Sequence, residues 1–299
     1  MNKLLTIIMP AYNEEESLRI VLPKIIEYIK QNNYELIIIN DGSTDNTLSV
    51  LHQYNINENR FLIINNKVNL GYGGAIKKGL EKASGEYIVT IDADGQHALD
   101  DIQELLNYAI KNDADLIIGA RKLRKGTMGV TNYYREFGKF LIKIFAKILI
   151  PNKITDLNSG FKLYKGSLVK TYFKICPDNM AFSDIITLIF LNQKHLILEK
   201  EISVLNRISG KSKISTLTAF ETIIEIFNII TLFNPLKIFL PLTLLLTSMG
   251  ILWGLPILLM GRGLSIGSLL LILMGILNFM LGLICEQISK LKKMYLGLN

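Results

Sequence analysis

Two cysteines in 299 residues, Cys176 and Cys285, stand alone and far apart. That scarcity excludes paired-cysteine metal or redox spacing and suits a reducing compartment. Charge is missing altogether from two long stretches, "IFLPLTLLLTSMGILWGLPILLM" (238–260) and "LSIGSLLLILMGILNFMLGLIC" (264–285). Crossing the hydrocarbon core takes about 20 apolar residues, and a buried soluble helix rarely runs that long uncharged. Both stretches are expected to be transmembrane helices. The start, "MNKLLTIIMPAYNEEE", lacks the long apolar run and small-residue cleavage site of a signal peptide. Two phosphate-binding patterns are also incomplete. "NLGYGGAIKKG" (69–79) has Ile76 where a dinucleotide fingerprint needs a glycine, and "SGKS" (209–212) is preceded by Leu205 where a phosphate loop opens with glycine.

What is present divides unevenly. Hydrophobic residues make up 49% of the chain and mean hydropathy is +0.32, high for a soluble protein. The surplus lies after Leu217, while residues 1–215 read as a soluble α/β protein. Pro241 and Pro256 are compatible with the first span, because neighbouring helices can satisfy the freed carbonyls. Only residues 261–263 separate the spans, which forces a tight hairpin. Lys237 precedes it and "KLKK" (290–293) follows, whereas the turn carries only Arg262. By the positive-inside rule the N-terminal part and the tail are cytoplasmic, in an integral protein of the cell membrane. The net charge of +7 gathers near the membrane segments, which favours anionic lipid headgroups of the bilayer over nucleic acid as a partner.

Within residues 1–215, short β-branched runs alternate with helical stretches. The expected strands are 4–9, 34–40, 60–65, 86–92 and 115–120, and amphipathic helices are expected at 16–31 and 101–112. Such alternation implies an α/β fold with a mainly parallel sheet covered on both faces. Ligands of these sheets bind beyond the carboxyl ends of the strands. Three acid-bearing loops fall there: "PAYNEEE" (10–16), "DGSTDNT" (41–47) and "DADGQH" (92–97). Asp92 and Asp94 repel each other one residue apart. A solvated turn tolerates such a pair, or the pair holds a cation.

Those loops, followed in order by "GAR", "DLNSGFKLY" and "RISGKSK", resemble glycosyltransferase family 2 and its GT-A fold over residues 4–215. The closest likeness is to the polyprenyl-phosphate glycosyltransferases, whose bactoprenol subgroup also has a two-helix hairpin after the catalytic domain. The resemblance implies that Asp92 and Asp94 form the family's DxD motif for Mg²⁺ or Mn²⁺ on a donor diphosphate. Asp94 and the amide oxygen of Gln96 would ligate the metal, and Asp92 would act through water or the donor ribose. Asp94 is expected on a solvent-facing rim. Pro10, Tyr12, Glu14, Asp41, Ala93 and Arg121 are implied to line the nucleotide-sugar pocket, with Arg121 meeting phosphate charge. "DGST" is equally a helix-start signal, so Asp41 can cap and bind at once. Arg207 and Lys213 are implied to bind donor and acceptor phosphate, although membrane-proximal surface charge is the alternative. Ser159 and Lys162 are placed beside the acceptor phosphate. Lysine stands there where the family usually has arginine, losing the bidentate fork. Asp184 falls where the wider superfamily keeps a catalytic acid. His97 reads as a helix-start or packing residue.

The domain reading is a catalytic part at 1–215 with an interface helix near 132–150, an amphipathic helix at 216–233, the hairpin at 234–289 and a basic tail at 290–299. In the first of those helices Arg135, Lys139, Lys143 and Lys147 recur every fourth position beside an apolar face, the pattern of a membrane-surface helix or of an ordinary core helix. The expected activity is inverting transfer of a hexose from a UDP- or GDP-linked donor to undecaprenyl or dolichyl phosphate. Transfer to a sugar hydroxyl, or nucleotide-sugar binding without turnover, are the alternatives. A homo-oligomer is compatible with the sequence, which leaves sugar and nucleotide open.

Overall fold

The computed structural model describes residues 3–54, 60–121, 154–157, 159–205 and 233–296, with Ile224 and Thr231. The chain divides into two units, Met1–Glu225 and Ile226–Asn299.

In the first unit the apolar runs become strands: β1 (Leu5–Ala11), β2 (Glu35–Asp41), β3 (Phe61–Asn66), β4 (Tyr87–Thr90) and β5 (Leu116–Arg121). Helices α1 (Glu15–Asn32), α2 (Thr47–Gln53), α3 (Tyr72–Lys82) and α4 (Leu99–Asn112) alternate with them. Then follow β6 (Lys162–Lys165), α5 (Gly166–Tyr172), α6 (Phe182–Asn192) and β7 (Ile197–Ile202). The seven-stranded sheet has the order β3-β2-β1-β4-β6-β5-β7. All pairings are parallel except those of β6, which runs antiparallel between β4 and β5. The mainly parallel α/β expectation therefore holds, with the antiparallel β6 and the parallel β7 as strands that the sequence reading did not foresee.

Every residue of β2 is buried, as a strand covered on both faces must be. The core gathers Leu5, Ile7, Leu18, Leu22, Leu36 and Ile38 with Leu105, Phe161 and Leu163. Chain order reverses at β1, which has β2 on one side and β4 on the other. In such sheets ligands bind at the switch point, beyond the carboxyl ends of the strands, here those of β1, β2 and β4. β4 stops at Thr90, earlier than the expected end at 92, so Asp92 lies in the loop beyond the strand.

In the second unit α7 (Leu236–Leu259) and α8 (Ile266–Leu296) form a hairpin, with Gly261 and Gly263 at positive φ in the turn. Of the 24 residues of α7 only Thr243 and Gly250 are buried, while Leu244, Leu252 and Leu259 are exposed. Both helices are long and apolar enough to cross a membrane. Asn278 ties them together, donating from Nδ2 to Phe239 O at 2.8 Å and to Thr243 Oγ1 at 2.9 Å. Small residues and side-chain amides commonly join helices in lipid, where apolar burial gives no net drive.

Candidate active site at the switch point

Two loops interlock at the ends of β1 and β2. Asn13 adopts φ 55°, the left-handed region that asparagine tolerates better than most residues. In that conformation its Oδ1 accepts from Thr44 N at 2.8 Å and its own N–H donates to Ser43 Oγ at 3.0 Å. Glu14 N donates to Thr47 Oγ1 at 3.0 Å, and Ser17 Oγ donates to Glu14 Oε2 at 2.8 Å. Pro10, Tyr12 and Glu14 are partly buried beside these bonds.

Asp41 closes β2 and is 3% exposed. Its Oδ1 accepts from Asn66 Nδ2 at 2.8 Å and Leu70 N at 2.9 Å, and its Oδ2 accepts from Gly71 N at 2.9 Å. The carboxylate thus ties β2 to the loop entering α3, rather than capping the helix that follows it. α3 in turn packs tightly: Gly73 N donates to Asn179 O and Gly74 N to Asp178 O. A Cβ on Gly73 would collide with Asn179 O at 2.9 Å. The glycine-rich stretch serves close backbone packing, and its first amides are already taken by carbonyls.

Past β4, Asp92 keeps 38% of its side chain exposed, whereas Ala93 and Asp94 are each 3% exposed. The expected solvent-facing position of Asp94 is corrected. Its Oδ1 accepts from Gln96 N at 3.0 Å, the local turn that Asp favours, and this draws it inward. The Gln96 backbone carbonyl accepts from Leu205 N at 2.9 Å, and its Nε2 faces Leu205 O at 3.5 Å.

A charged cluster faces these acids. Arg121, at the end of β5, forks onto Asp156 through Nε and Nη2, each at 2.8 Å. Burial alone would raise the Asp156 carboxyl, but Arg121 overrides it and holds the group below its usual range. Asp156 N is held in turn by Glu199 Oε1 at 3.1 Å. Lys162 is fully buried and donates from Nζ to Leu157 O at 2.7 Å and to Ser183 O. Burial pulls its ammonium down to about 8, against the opposing charges of Asp184 and Asp156. Asp184 lies in the first turn of α6, where burial drives its carboxyl up to about 6 while Lys162 restrains the rise.

The family model described as Glycosyl transferase family 2 matches residues 6–173. The chain belongs to glycosyltransferase family 2. A second model, the GtrB C-terminal hairpin, matches residues 234–291. Among curated relatives, the dolichyl-phosphate beta-glucosyltransferase ALG5D of Trichomonas vaginalis is 31% identical over 56% of this chain and 54% of its own length. The UDP-N-acetylglucosamine–dolichyl-phosphate N-acetylglucosaminyltransferase of Methanococcus voltae is 30% identical over 56% of this chain and 72% of its own. The chain thus spans only about half the length of the Trichomonas relative. Among solved structures, glucosyl-3-phosphoglycerate synthase of Mycobacterium tuberculosis superposes with a TM-score of 0.60 at 17% identity, over 76% of this chain and 78% of that one. Its crystals hold Mn²⁺ or Mg²⁺ with uridine diphosphate. This likeness establishes the GT-A fold of the family 2 glycosyltransferase.

The residues of the family 2 rim suit a hard cation. Asp92 offers a carboxylate that is 38% exposed, and Asp94, 3% exposed, and the carboxamide-bearing Gln96 follow it in the same turn. Among the described residues no group of three or more His, Cys, Asp or Glu forms a closed cage. A partial carboxylate set fits Mg²⁺ or Mn²⁺, whose remaining positions are filled by phosphate oxygens and water.

The other assignments fare unevenly. Pro10, Tyr12, Glu14, Asp41, Asp92, Asp94, Gln96, Arg121 and Asp184 come from the strand ends, loops and helix start on one side of the sheet. Ser159 and Lys162, expected at the acceptor phosphate, are turned inward. Ser159 is 1% exposed and donates to Gly119 O at 2.7 Å, and both its hydroxyl and the lysine ammonium are spent on main-chain carbonyls. Arg121 is half exposed and engaged by Asp156, a partner that sequence reasoning missed although "DLNSG" was in view. Arg207, Lys213 and the interface helices near 132–150 and 216–233 lie outside the described residues, Ile224, Thr231 and Phe233 apart.

Proposed function

We propose that this glycosyltransferase moves a hexose from a UDP- or GDP-linked donor to undecaprenyl or dolichyl phosphate at the cytoplasmic face of the cell membrane. One observation carries the reading: an acid-bearing family 2 rim and an apolar hairpin of the GtrB type occur in one chain. The names of the curated relatives, which act on dolichyl phosphate, support it. Lys237, Lys290, Lys292 and Lys293 against a lone Arg262 support the orientation, with rim and tail inside.

In this reading Pro10, Tyr12, Glu14 and Asp41 shape the nucleotide pocket. Asp94 and Gln96 hold Mg²⁺ or Mn²⁺, and Asp92 turns toward the donor. The bound ion supplies positive charge where the leaving diphosphate gains negative charge. Arg121 adds cationic charge from β5, and Arg207 and Lys213 meet phosphate. Ser159 and Lys162 support the loop rather than the acceptor. A phosphate monoester has a second pKa of about 6, so the lipid nucleophile is largely ionised at neutral pH. A single in-line attack with inversion then needs no dedicated base.

Asp184 favours a second reading. A carboxyl pushed up to about 6 is poised as a base, which a sugar-hydroxyl acceptor needs and a lipid phosphate does not. Incubating the chain with radiolabelled UDP- or GDP-hexose, Mn²⁺ and a short-chain polyprenyl phosphate separates the two. Label is expected in extractable lipid. Label that reaches only a sugar hydroxyl overturns the acceptor assignment. For orientation, Gly263→Cys in intact cells should react with an impermeant maleimide and Asn299→Cys should not; the reverse pattern puts the rim outside.

A further inference from the structure

Asp92 presents one edge to the crevice, and what lies behind that edge is buried. The His97 side chain is 8% exposed and brings Nε2 to 3.5 Å from Asp92 Oδ2. Its ring rests on Phe161, centroids 4.7 Å apart. Tyr72, the first residue of α3, comes to the same place. A side chain begun at Gly160 would meet the Tyr72 hydroxyl at 2.8 Å and Asp92 Oδ1 and Oδ2 at 3.1 and 3.2 Å. Hydroxyl and carboxylate therefore converge on the space that glycine leaves. Gly160 is pinned there, since Thr90 Oγ1 donates to its carbonyl at 2.7 Å.

The polar atoms around this point are in an unusual state. The Tyr72 hydroxyl, Ser183 Oγ and His97 Nδ1 are shut off from solvent; the hydroxyl lies within reach of both Ser183 and Asp92, but none of the three atoms closes a hydrogen bond of good geometry among the described residues. Buried polar groups left so are uncommon and costly, and they mark places where function sets the geometry. Tyr72 keeps its proton, because burial and the Asp92 charge push its hydroxyl well above the usual range. In the Nε2–H tautomer His97 donates toward Asp92 and leaves Nδ1 as a lone-pair acceptor, the less costly orphan.

We propose that Tyr72 and His97 are positioning residues that aim Asp92 at the donor, and that Gly160 keeps open the socket in which they meet it. The inference rests on the reading that Asp92 faces the nucleotide sugar. Tyr72 reaches the socket from α3, His97 from the loop after β4, and Gly160 from the segment entering β6. A carboxylate supported from behind is preorganised, so less reorganisation is left to the bound complex. Neither Tyr72 nor His97 contacts the reacting atoms.

The test uses the full chain in detergent and five substitutions: Tyr72→Phe, His97→Ala, His97→Gln, Gly160→Ala and Asp92→Asn. Binding of UDP and of GDP in the presence of Mn²⁺ is followed by calorimetry, beside kcat, KM and melting temperature. Removing an outer partner of a metal ligand typically costs about 10–100-fold in affinity or activity, and a loss on that scale is expected for a carboxylate held toward the donor. Tyr72→Phe and Gly160→Ala should each show such a loss, and Tyr72→Phe should melt near wild type. Combining Tyr72→Phe with Gly160→Ala should cost little more than Gly160→Ala alone, because both act on one carboxylate. His97→Gln, which keeps an amide N–H near the Nε2 position, should recover part of the loss in His97→Ala. If Asp92→Asn is impaired while Tyr72→Phe and His97→Ala bind and turn over like wild type, the socket has no positioning role. If Asp92→Asn itself behaves as wild type, the donor-site reading fails and this inference fails with it. Should Gly160→Ala not fold, the isosteric Tyr72→Phe decides alone.

Discussion

Asp41 and Asp92 hold matching places, just beyond or at the ends of β2 and β4, the two strands that flank β1. Asp41 is 3% exposed and accepts from three donors at 2.8–2.9 Å, two of them main-chain amides. Asp92 keeps 38% of its side chain exposed and, among the described residues, is approached by His97 Nε2 at 3.5 Å and by the Tyr72 hydroxyl. A carboxylate at a strand end in this fold can thus be a hub for the chain or a group held out toward a ligand. The difference lies in how many donors the neighbouring elements deliver. On the β2 side the loop entering α3 delivers them; on the β4 side the groups at hand stop short.

Several measurements can break this contrast or sharpen it. The largest effect is expected next to Asp92. Asp94→Asn keeps an acceptor for Gln96 N but removes the charge, and loss of one preorganised charge-stabilising element costs about 10²–10³ in kcat. The melting temperature should stay near wild type; wild-type turnover in excess Mn²⁺ would remove Asp94 from the metal assignment.

Asp41→Ala should act the other way, through stability. It removes the acceptor of Leu70 N and of Asn66 Nδ2, while Gly71 N keeps Asn69 Oδ1 at 2.8 Å, and each lost hydrogen bond costs about 0.5–1.5 kcal/mol. Denaturant unfolding should show the loss. An unchanged midpoint with a raised donor KM would mean that Asp41 belongs to the pocket alone.

The pH dependence of stability probes Asp184. Its folded-state carboxyl is raised from an ordinary 3.8 to about 6, so between those values the folded chain holds the proton more tightly than the unfolded chain. Stability should therefore fall as pH climbs from about 4 to about 6, and Asp184→Asn should flatten that slope. A slope that persists in the variant assigns it to other groups. The smallest effect belongs to Ser159→Ala, which removes the bond to Gly119 O and the longer one from Phe161 N, and should cost about 1 kcal/mol per bond and leave the acceptor KM alone. A raised acceptor KM would return Ser159 to the acceptor phosphate.

Much of the frame was legible because it follows from local pattern. Continuous apolar runs gave β1, β2, β3 and β5 within a residue or two, and the three acid-bearing loops fell at the carboxyl ends where such sheets bind ligands. β6 escaped because "KLYK" is four residues long with lysine at both ends, and nothing local says that Lys162 is fully buried. Arginine-to-aspartate pairing across Arg121 and Asp156 was hidden for the same reason: the partners are far apart in the chain.

By itself the sequence determined the α/β class, the acidic rim and the uncharged helices of the hairpin, since hydrophobic period, turn residues and span length are properties of neighbouring residues. The tertiary structure decided which acids are saturated and which face the crevice. It also decided that Lys162 and Ser159 turn inward and that Tyr72, His97 and Gly160 meet around Asp92. Those outcomes depend on donors and acceptors brought together from α3, β4 and the segment entering β6, and burial then fixes their charge and their cost.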